Sequence, residues 1–128
     1  MSTDLVALAK ALLTFKQTFL VAQAQFDLDD LDQFFAKRFT LHANERRYEV
    51  TQQEYFDYLN EFRAHIVRLD HDVQHYYQAD NTIIMPMKAS VAYDCGRVET
   101  YEAVKFFQYN SEQKISLWKE VAYKIPKA

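Results

Sequence analysis

Thr82-Ile83-Ile84-Met85-Pro86-Met87-Lys88-Ala89-Ser90-Val91-Ala92-Tyr93, then Asp94-Cys95-Gly96, then Arg97-Val98-Glu99-Thr100-Tyr101-Glu102-Ala103-Val104-Lys105-Phe106-Phe107, is the stretch whose reading decides the fold. From Ile83 to Tyr93 every odd position is apolar, the alternation of a long strand with one buried face. Residues 98–107 form its partner, and the turn between them holds the only glycine in the chain. A two-residue loop would put Cys95 at a positive φ. A three-residue loop, a type I turn closed by Gly96 in the left-handed region, avoids that and pairs Tyr93 with Arg97. It also sets Lys88 opposite Glu102, Ser90 opposite Thr100 and Ile84 opposite Phe106, all favourable cross-strand neighbours. The three-residue register is the one expected.

In that register one face carries Ile83, Met85, Met87, Ala89, Val91, Tyr101, Ala103 and Phe107. Small Ala89 faces large Tyr101, and Ala103 faces Met87, an alternation that fits close packing or a hollow. Lys105 is a cation on this apolar side. Pro86 cannot donate to a ladder, so an edge or a bulge is expected beside it.

Working outward, residues 3–25 read as an amphipathic helix on Leu5, Leu8, Leu12, Phe15 and Phe19, capped by Thr3 or Ser2. A second helix is expected over residues 30–39, entered by Asp27, Asp29, Asp30 and Asp32 and left through Lys37 and Arg38, charges that suit the helix dipole. A short strand and the polar connection Asn44-Glu45-Arg46-Arg47 fill residues 39–50. Thr51-Gln52-Gln53-Glu54 is a capping box opening a third helix. Its inward stripe is Tyr55, Leu59, Phe62, Ile66 and Leu69, with Tyr58 and His65 on the flank. After Asp70 the period becomes two. Residues 71–78 then read as a strand, Asp80-Asn81 as a turn, residues 110–113 as a polar turn and residues 114–124 as a final strand. In that strand Trp118, Glu120 and Ala122 share one face, and Leu117, Lys119 and Val121 the other. Three helices followed by an antiparallel meander is an α+β domain spanning residues 1–128.

The 128 residues include ten Phe, nine Tyr and one Trp, enough aromatic bulk for a thick core or a ring-lined pocket. A net charge of −3 with no basic block argues against nucleic acid and anionic membranes as partners. A single cysteine allows no internal disulfide framework. Val21-Ala22-Gln23-Ala24 resembles a signal cleavage site, but no secretory signal is expected over residues 5–21: Asp4 stands where positive charge is required, and Lys10 and Lys16 interrupt the apolar run. No segment is long and apolar enough to span a bilayer. A cytoplasmic protein is expected.

Two apparent metal motifs dissolve on counting. Measured from Asp27 as a calcium loop, the fifth position is Leu31, the sixth Asp32 instead of glycine and the twelfth Arg38 instead of glutamate. His71-Asp72-Val73-Gln74-His75 has the histidine spacing of a zinc helix, but in a strand residues four apart are separated by about 13 Å. No metal and no cofactor are expected.

The order of elements, the long hairpin and above all Lys114-Ile115-Ser116-Leu117-Trp118-Lys119-Glu120 resemble the nuclear transport factor 2-like superfamily, shared with SnoaL-like proteins. The resemblance covers essentially the whole chain. It implies a cone, with three N-terminal helices packed into the concave face of a strongly curved, mostly antiparallel β-sheet. It implies a closing strand whose aromatic and acid, Trp118 and Glu120, project inside, and a homodimer through the outer sheet face. Limonene epoxide hydrolase-like members carry an Arg-x-Asp pair and a second Asp; the matching positions here are Met87, Ala89 and Glu120, so the last acid alone is kept. Ketosteroid isomerase-like members carry a base on the first strand, near Leu41-His42-Ala43.

These readings give a pocket for a small apolar ligand. Glu120 is the expected acid or base, since desolvation disfavours a carboxylate's charged form, and Tyr101 or His42 is its hydrogen-bond partner. Tyr58, Phe62, Met85, Met87, Ala89, Ala103, Lys105 and Trp118 are the expected lining, the methionines adaptable to an apolar ligand. The alternative is a non-catalytic module that carries a ligand or binds a protein, its cone closed by its own aromatics.

Overall fold

The computed structural model describes residues 4–126. Its helices are α1 (Leu5–Phe19), α2 (Leu28–Asp32) and α3 (Gln52–Phe62), the last extended by a 3-10 turn, Arg63–His65. Its strands are β1 (Phe35–Ala43), β2 (Arg46–Thr51), β3 (Ile66–Val73), β4 (Tyr77–Ala79), β5 (Thr82–Tyr93), β6 (Val98–Tyr109) and β7 (Ile115–Lys124). They form one open mixed sheet ordered β2-β1-β7-β6-β5-β3, with β4 also on β5. Every pairing is antiparallel except β1 with β7. This is the expected α+β architecture, helices against the concave face of a curved, mostly antiparallel sheet.

The central hairpin adopts the three-residue register. Tyr93 N–H donates to the Arg97 carbonyl at 2.8 Å, Gly96 N–H to the Tyr93 carbonyl at 3.0 Å, and Gly96 has φ +90°. Lys88 faces Glu102, Ser90 faces Thr100 and Ile84 faces Phe106. On the inner face Ile83, Met85, Met87, Val91, Ala103 and Phe107 are buried. Beside Pro86 the neighbouring edge breaks: Val73 pairs with Met87 and Tyr77 with Ile84, leaving three residues opposite two. A bulge sits where proline has no N–H to offer.

Around the hairpin several boundaries depart from the sequence reading. The α1 helix stops at Phe19, not at residue 25, and its cap is Asp4, whose side chain accepts from Ala7 N–H at 3.2 Å; Ser2 and Thr3 lie outside the described residues. Arg63 explains the stop. Its guanidinium takes the carbonyls of Val21 (2.9 Å) and Ala24, and it stacks over the Phe26 ring, so these carbonyls serve a tertiary clamp and not another helical turn. The second helix is the five-residue α2, and residues 35–39 are strand; Lys37 and Arg38 are exposed on β1 and do not close a helix. The connection at 44–47 is tighter than expected, Asn44-Glu45 joining β1 to β2 with Asn44 at φ 53°.

The Thr51–Glu54 capping box forms as read, Glu54 N–H donating to Thr51 Oγ1 at 3.2 Å and Thr51 N–H to Glu54 Oε1 at 2.9 Å. Ile66 and Leu69, assigned to the end of that helix, belong to β3. Both are buried because the β3 register shifts between Ile66 and Arg68, and the extra residue returns the third position to the inner face. The expected strand over residues 71–78 is divided in the same way between the end of β3 and β4. Among the described residues no helix is long and apolar enough to cross a membrane.

Candidate functional site

Between α1, α3 and the inner face of the sheet lies a cavity of about 850 Å³, lined largely by apolar and aromatic side chains. A polar cluster is set into it, Lys16, Tyr55, His71, Lys105 and Glu120, and Asn44, Arg46, Glu54 and Lys124 also line the cavity. Each is put there by its period. Lys16 falls four residues after Leu12 and seven after Ala9, on the buried stripe of α1. Tyr55 is one turn before Leu59 on the buried side of α3. Lys105 alternates with Ala103 and Phe107 on β6, and Glu120 alternates with Trp118 on β7, directly opposite Lys105 in the ladder.

Lys16 is 5% exposed, its Nζ donating to Tyr55 Oη at 2.5 Å and standing 3.8 Å from the centre of the Trp118 ring. Burial, reinforced by the neighbouring Lys105 and opposed by Glu120, holds its pKa well below the usual lysine range. Lys105 is 9% exposed and 4.9 Å from the Trp118 ring centre, its pKa also lowered by burial against the opposing attraction of Glu120. Trp118 thus bridges the cluster. Both amines approach its ring, and its Nε1–H donates to Glu120 Oε1 at 3.0 Å, fixing that carboxylate. Burial and Glu120 together push the Tyr55 phenol up, so Tyr55 keeps its proton.

His71 completes the cluster from β3. Its backbone N–H donates to Gln17 Oε1 at 2.8 Å, which fixes that atom as the amide oxygen. The ring Nδ1, 3.2 Å from the same oxygen, therefore carries the imidazole proton and Nε2 is the acceptor. Burial, with Lys105 and Lys16 adding repulsion, lowers the His71 pKa to about 3. The ring is neutral beside two amines.

Of the residues expected from sequence, Tyr58, Phe62, Ala89, Ala103, Lys105, Trp118 and Glu120 line this cavity. Met85 and Met87 do not. They are 0% and 1% exposed, packed into the core instead of presented to the cavity. Tyr101 borders the cavity but cannot serve Glu120. It lies four residues along β6 from Lys105, the ladder partner of Glu120, a separation of about 13 Å. Its hydroxyl instead donates to Glu99 Oε1 at 3.1 Å, beside Tyr93 at 3.0 Å, while Lys124 Nζ holds the other Glu99 oxygen at 2.7 Å. His42 reaches the rim, yet its place opposite Lys119 puts it on the other sheet face from Trp118 and Glu120. The side chain that hydrogen-bonds Glu120 is Trp118. His75, between β3 and β4, packs on the Tyr77 ring at 4.3 Å, whereas His71 lines the cavity. Among the described residues no group of three or more His, Cys, Asp or Glu is placed to hold a metal ion.

Lys16, Tyr55 and His71 were not singled out from sequence as pocket residues. For Lys16 the signal was present, since its position on the α1 stripe is the position of a core residue. His71 carried none, because its neighbours in space come from α1 and β6.

No family model matches the sequence, and no curated protein does either. Solved structures do. A candidate polyketide cyclase from Acidithiobacillus ferrooxidans superimposes with a TM-score of 0.75 at 10% identity, over 95% of this chain and 89% of that one. A candidate SnoaL-like polyketide cyclase from Shewanella putrefaciens gives 0.74 at 14%, over 95% and 91%. The chain has the nuclear transport factor 2-like fold. An epoxide hydrolase of M. tuberculosis, like limonene epoxide hydrolase, gives 0.74 at 9%, over 93% and 82%. Within this fold the Trp118–Glu120 strand and the long hairpin are the walls of the cone.

Proposed function

We propose that the protein holds a small, mostly apolar ligand inside the cone and that Glu120 exchanges a proton with it, in chemistry of the isomerase, cyclase or hydrolase type. The observation carrying this reading is the placement of one fixed carboxylate, with two buried amines, in an otherwise largely apolar cavity of about 850 Å³. Such a cavity is of a size for small-molecule sites, and a few convergent polar groups orient what binds there. Glu120 can take or return a proton at an atom of the ligand, while the amines stabilise the charge that develops. The neighbours named as cyclases and an epoxide hydrolase lend support through fold alone.

A second reading, a carrier without chemistry, is favoured by Met87 and Ala89. These stand where the resemblance to limonene epoxide hydrolase-like proteins calls for Arg and Asp, and both are apolar. The discriminating experiment is a panel of hydrophobic ketones, esters, epoxides and carboxylic acids. Binding compounds are expected to raise the melting temperature by about 2–5 °C, and at least one is expected to be converted by the wild type and not by Glu120→Gln, which still binds it. Binding without conversion assigns the carrier. No shift across the panel refutes both.

We also propose a homodimer through the outer sheet face. There Val121 and Tyr123 are exposed, an apolar surface that a second copy can cover. Sedimentation is expected to give a dimer that Val121→Glu converts to monomer. A wild-type monomer at high concentration refutes it.

A further inference from the structure

We propose that the ligand is a hydrophobic carboxylic acid, bound as its monoanion with the carboxylate on Lys105 and Lys16 and the apolar chain along the aromatic wall. This inference rests on the ligand-binding reading of the cavity and names the class of ligand.

The argument starts from an imbalance. Two amines, each more than nine-tenths buried, face the cavity with a single carboxylate among them. Their hydrogen-bonding capacity is mostly unspent. Lys16 donates to Tyr55 alone, and Lys105 has no hydrogen-bond acceptor among the described residues, its contact being the Trp118 ring. Glu120 stands opposite Lys105 in the ladder without closing an ion pair, and its Oε1 is occupied by Trp118. A buried amine either gives up its proton or meets a counter-charge, and a bound anion supplies that counter-charge.

The remaining walls specify what that anion is. Glu120 answers one of the two amines, so a monoanion is matched by the other once Lys16 holds its proton, whereas a dianion such as a phosphate monoester overshoots. His71, held neutral with Nε2 as acceptor, adds no further cation, and Tyr55 keeps its hydroxyl proton to donate. A planar carboxylate can accept from both amines at once. Away from the cluster the lining includes Leu20, Leu41, Val50, Leu59, Phe62 and Leu69, which offer an alkyl or ring system contact but no hydrogen bond. A carboxylate arriving here also restores to Lys16 the proton that burial makes it hold weakly.

Trp118 is the only tryptophan and touches both amines, so its fluorescence reads the site directly. The test is titration of the intact protein at pH 7 with decanoate and with 1-decanol, ligands of one length that differ in charge. Decanoate is expected to bind at least about tenfold more tightly, the worth of a charge-assisted hydrogen bond. Lys105→Met and Lys105→Gln are each expected to lose the preference for the acid while still binding 1-decanol, that binding itself showing that the cavity has formed. Lys119→Met, on the outer face, is expected to retain it. Equal binding of acid and alcohol by the wild type overturns this inference and leaves the ligand-binding cavity standing, as does a preference that survives in both Lys105 variants. Binding of neither compound overturns the cavity reading together with it.

Discussion

Replacing Phe35 by alanine is expected to lower the free energy of unfolding by about 3–5 kcal/mol, the range for deleting a buried phenyl ring. Phe35 is 1% exposed and enters the core where β1 meets β7 through Ile115. Its ring centre lies 4.6 Å from Phe39, 5.1 Å from Tyr55 in an edge arrangement and 6.3 Å from Trp118. Three elements therefore lose a packing partner at once. Backbone on both sides is pinned, Ile115 N–H to the Phe34 carbonyl at 2.8 Å and Gln52 Nε2 to the Phe35 carbonyl at 3.0 Å, so the hole cannot simply collapse. Urea unfolding is the measurement: the midpoint should fall while the slope stays near the wild-type value. A loss below about 1 kcal/mol would place this ring outside the cooperative core. The same substitution removes a support of Tyr55, which holds Lys16, so a folded Phe35→Ala protein is also expected to lose ligand binding.

Acid is expected to weaken the fold well above the range in which carboxylates titrate, through His71. In the unfolded chain the imidazole takes up a proton near pH 6.5; in the native protein it does so only at about 3. Between those values the unfolded state holds more protons, so stability is full above pH 6.5 and is lost as the pH falls toward 3, by at most about 1.4 kcal/mol for each pH unit. The direction follows from the cavity: burial penalises the imidazolium first, and Lys105 and Lys16 repel it. Glu99, whose carboxylate is held at about 2 by Lys124 and by the Tyr93 and Tyr101 hydroxyls, acts in a separate window, its contribution being lost only below the ordinary glutamate range. Between pH 6.5 and about 4.5 Glu99 therefore does not contribute, and the difference between the wild type and a His71 variant reads the imidazole. Urea unfolding at pH 7, 6 and 5 should show stability falling in the wild type and a flatter profile in His71→Gln. Equal profiles in the two proteins would show that the imidazole is not held neutral.

The outcomes at individual elements separate what a linear reading captures from what it misses. The register of the β5–β6 hairpin was legible to the residue because alternation, the lone glycine and three cross-strand pairs all demanded it, although β6 runs on past Phe107 to Tyr109. The faces of β7, and with them the inward aim of Trp118 and Glu120, followed from the same period. Errors fell where a strand is irregular. Ile66 and Leu69 are three apart and both buried, the spacing of a helix, because a bulge in β3 supplies the extra residue. Phe35 and Phe39 belong to a strand whose register against β7 shifts between Phe35 and Thr40. A bulge writes helical spacing into a strand, and nothing in the local sequence marks it.

The candidate site divides along the same line. Sequence by itself determined that an acid, an aromatic ring and a lysine share one face of the sheet, since each lies on a strand whose period is two. It also determined that Met87 and Ala89 offer no acid or base. Tertiary structure alone decided the rest. It brought Lys16 from the first helix and His71 from a bulged strand against Lys105 and Glu120, and it placed Met85 and Met87 in the core. It gave Tyr101 to Glu99, too far along the strand to serve Glu120. Periodicity fixes which way a side chain points from its own element, whereas its neighbours depend on how elements distant in sequence are stacked, and the charge balance of a cavity exists only once they are.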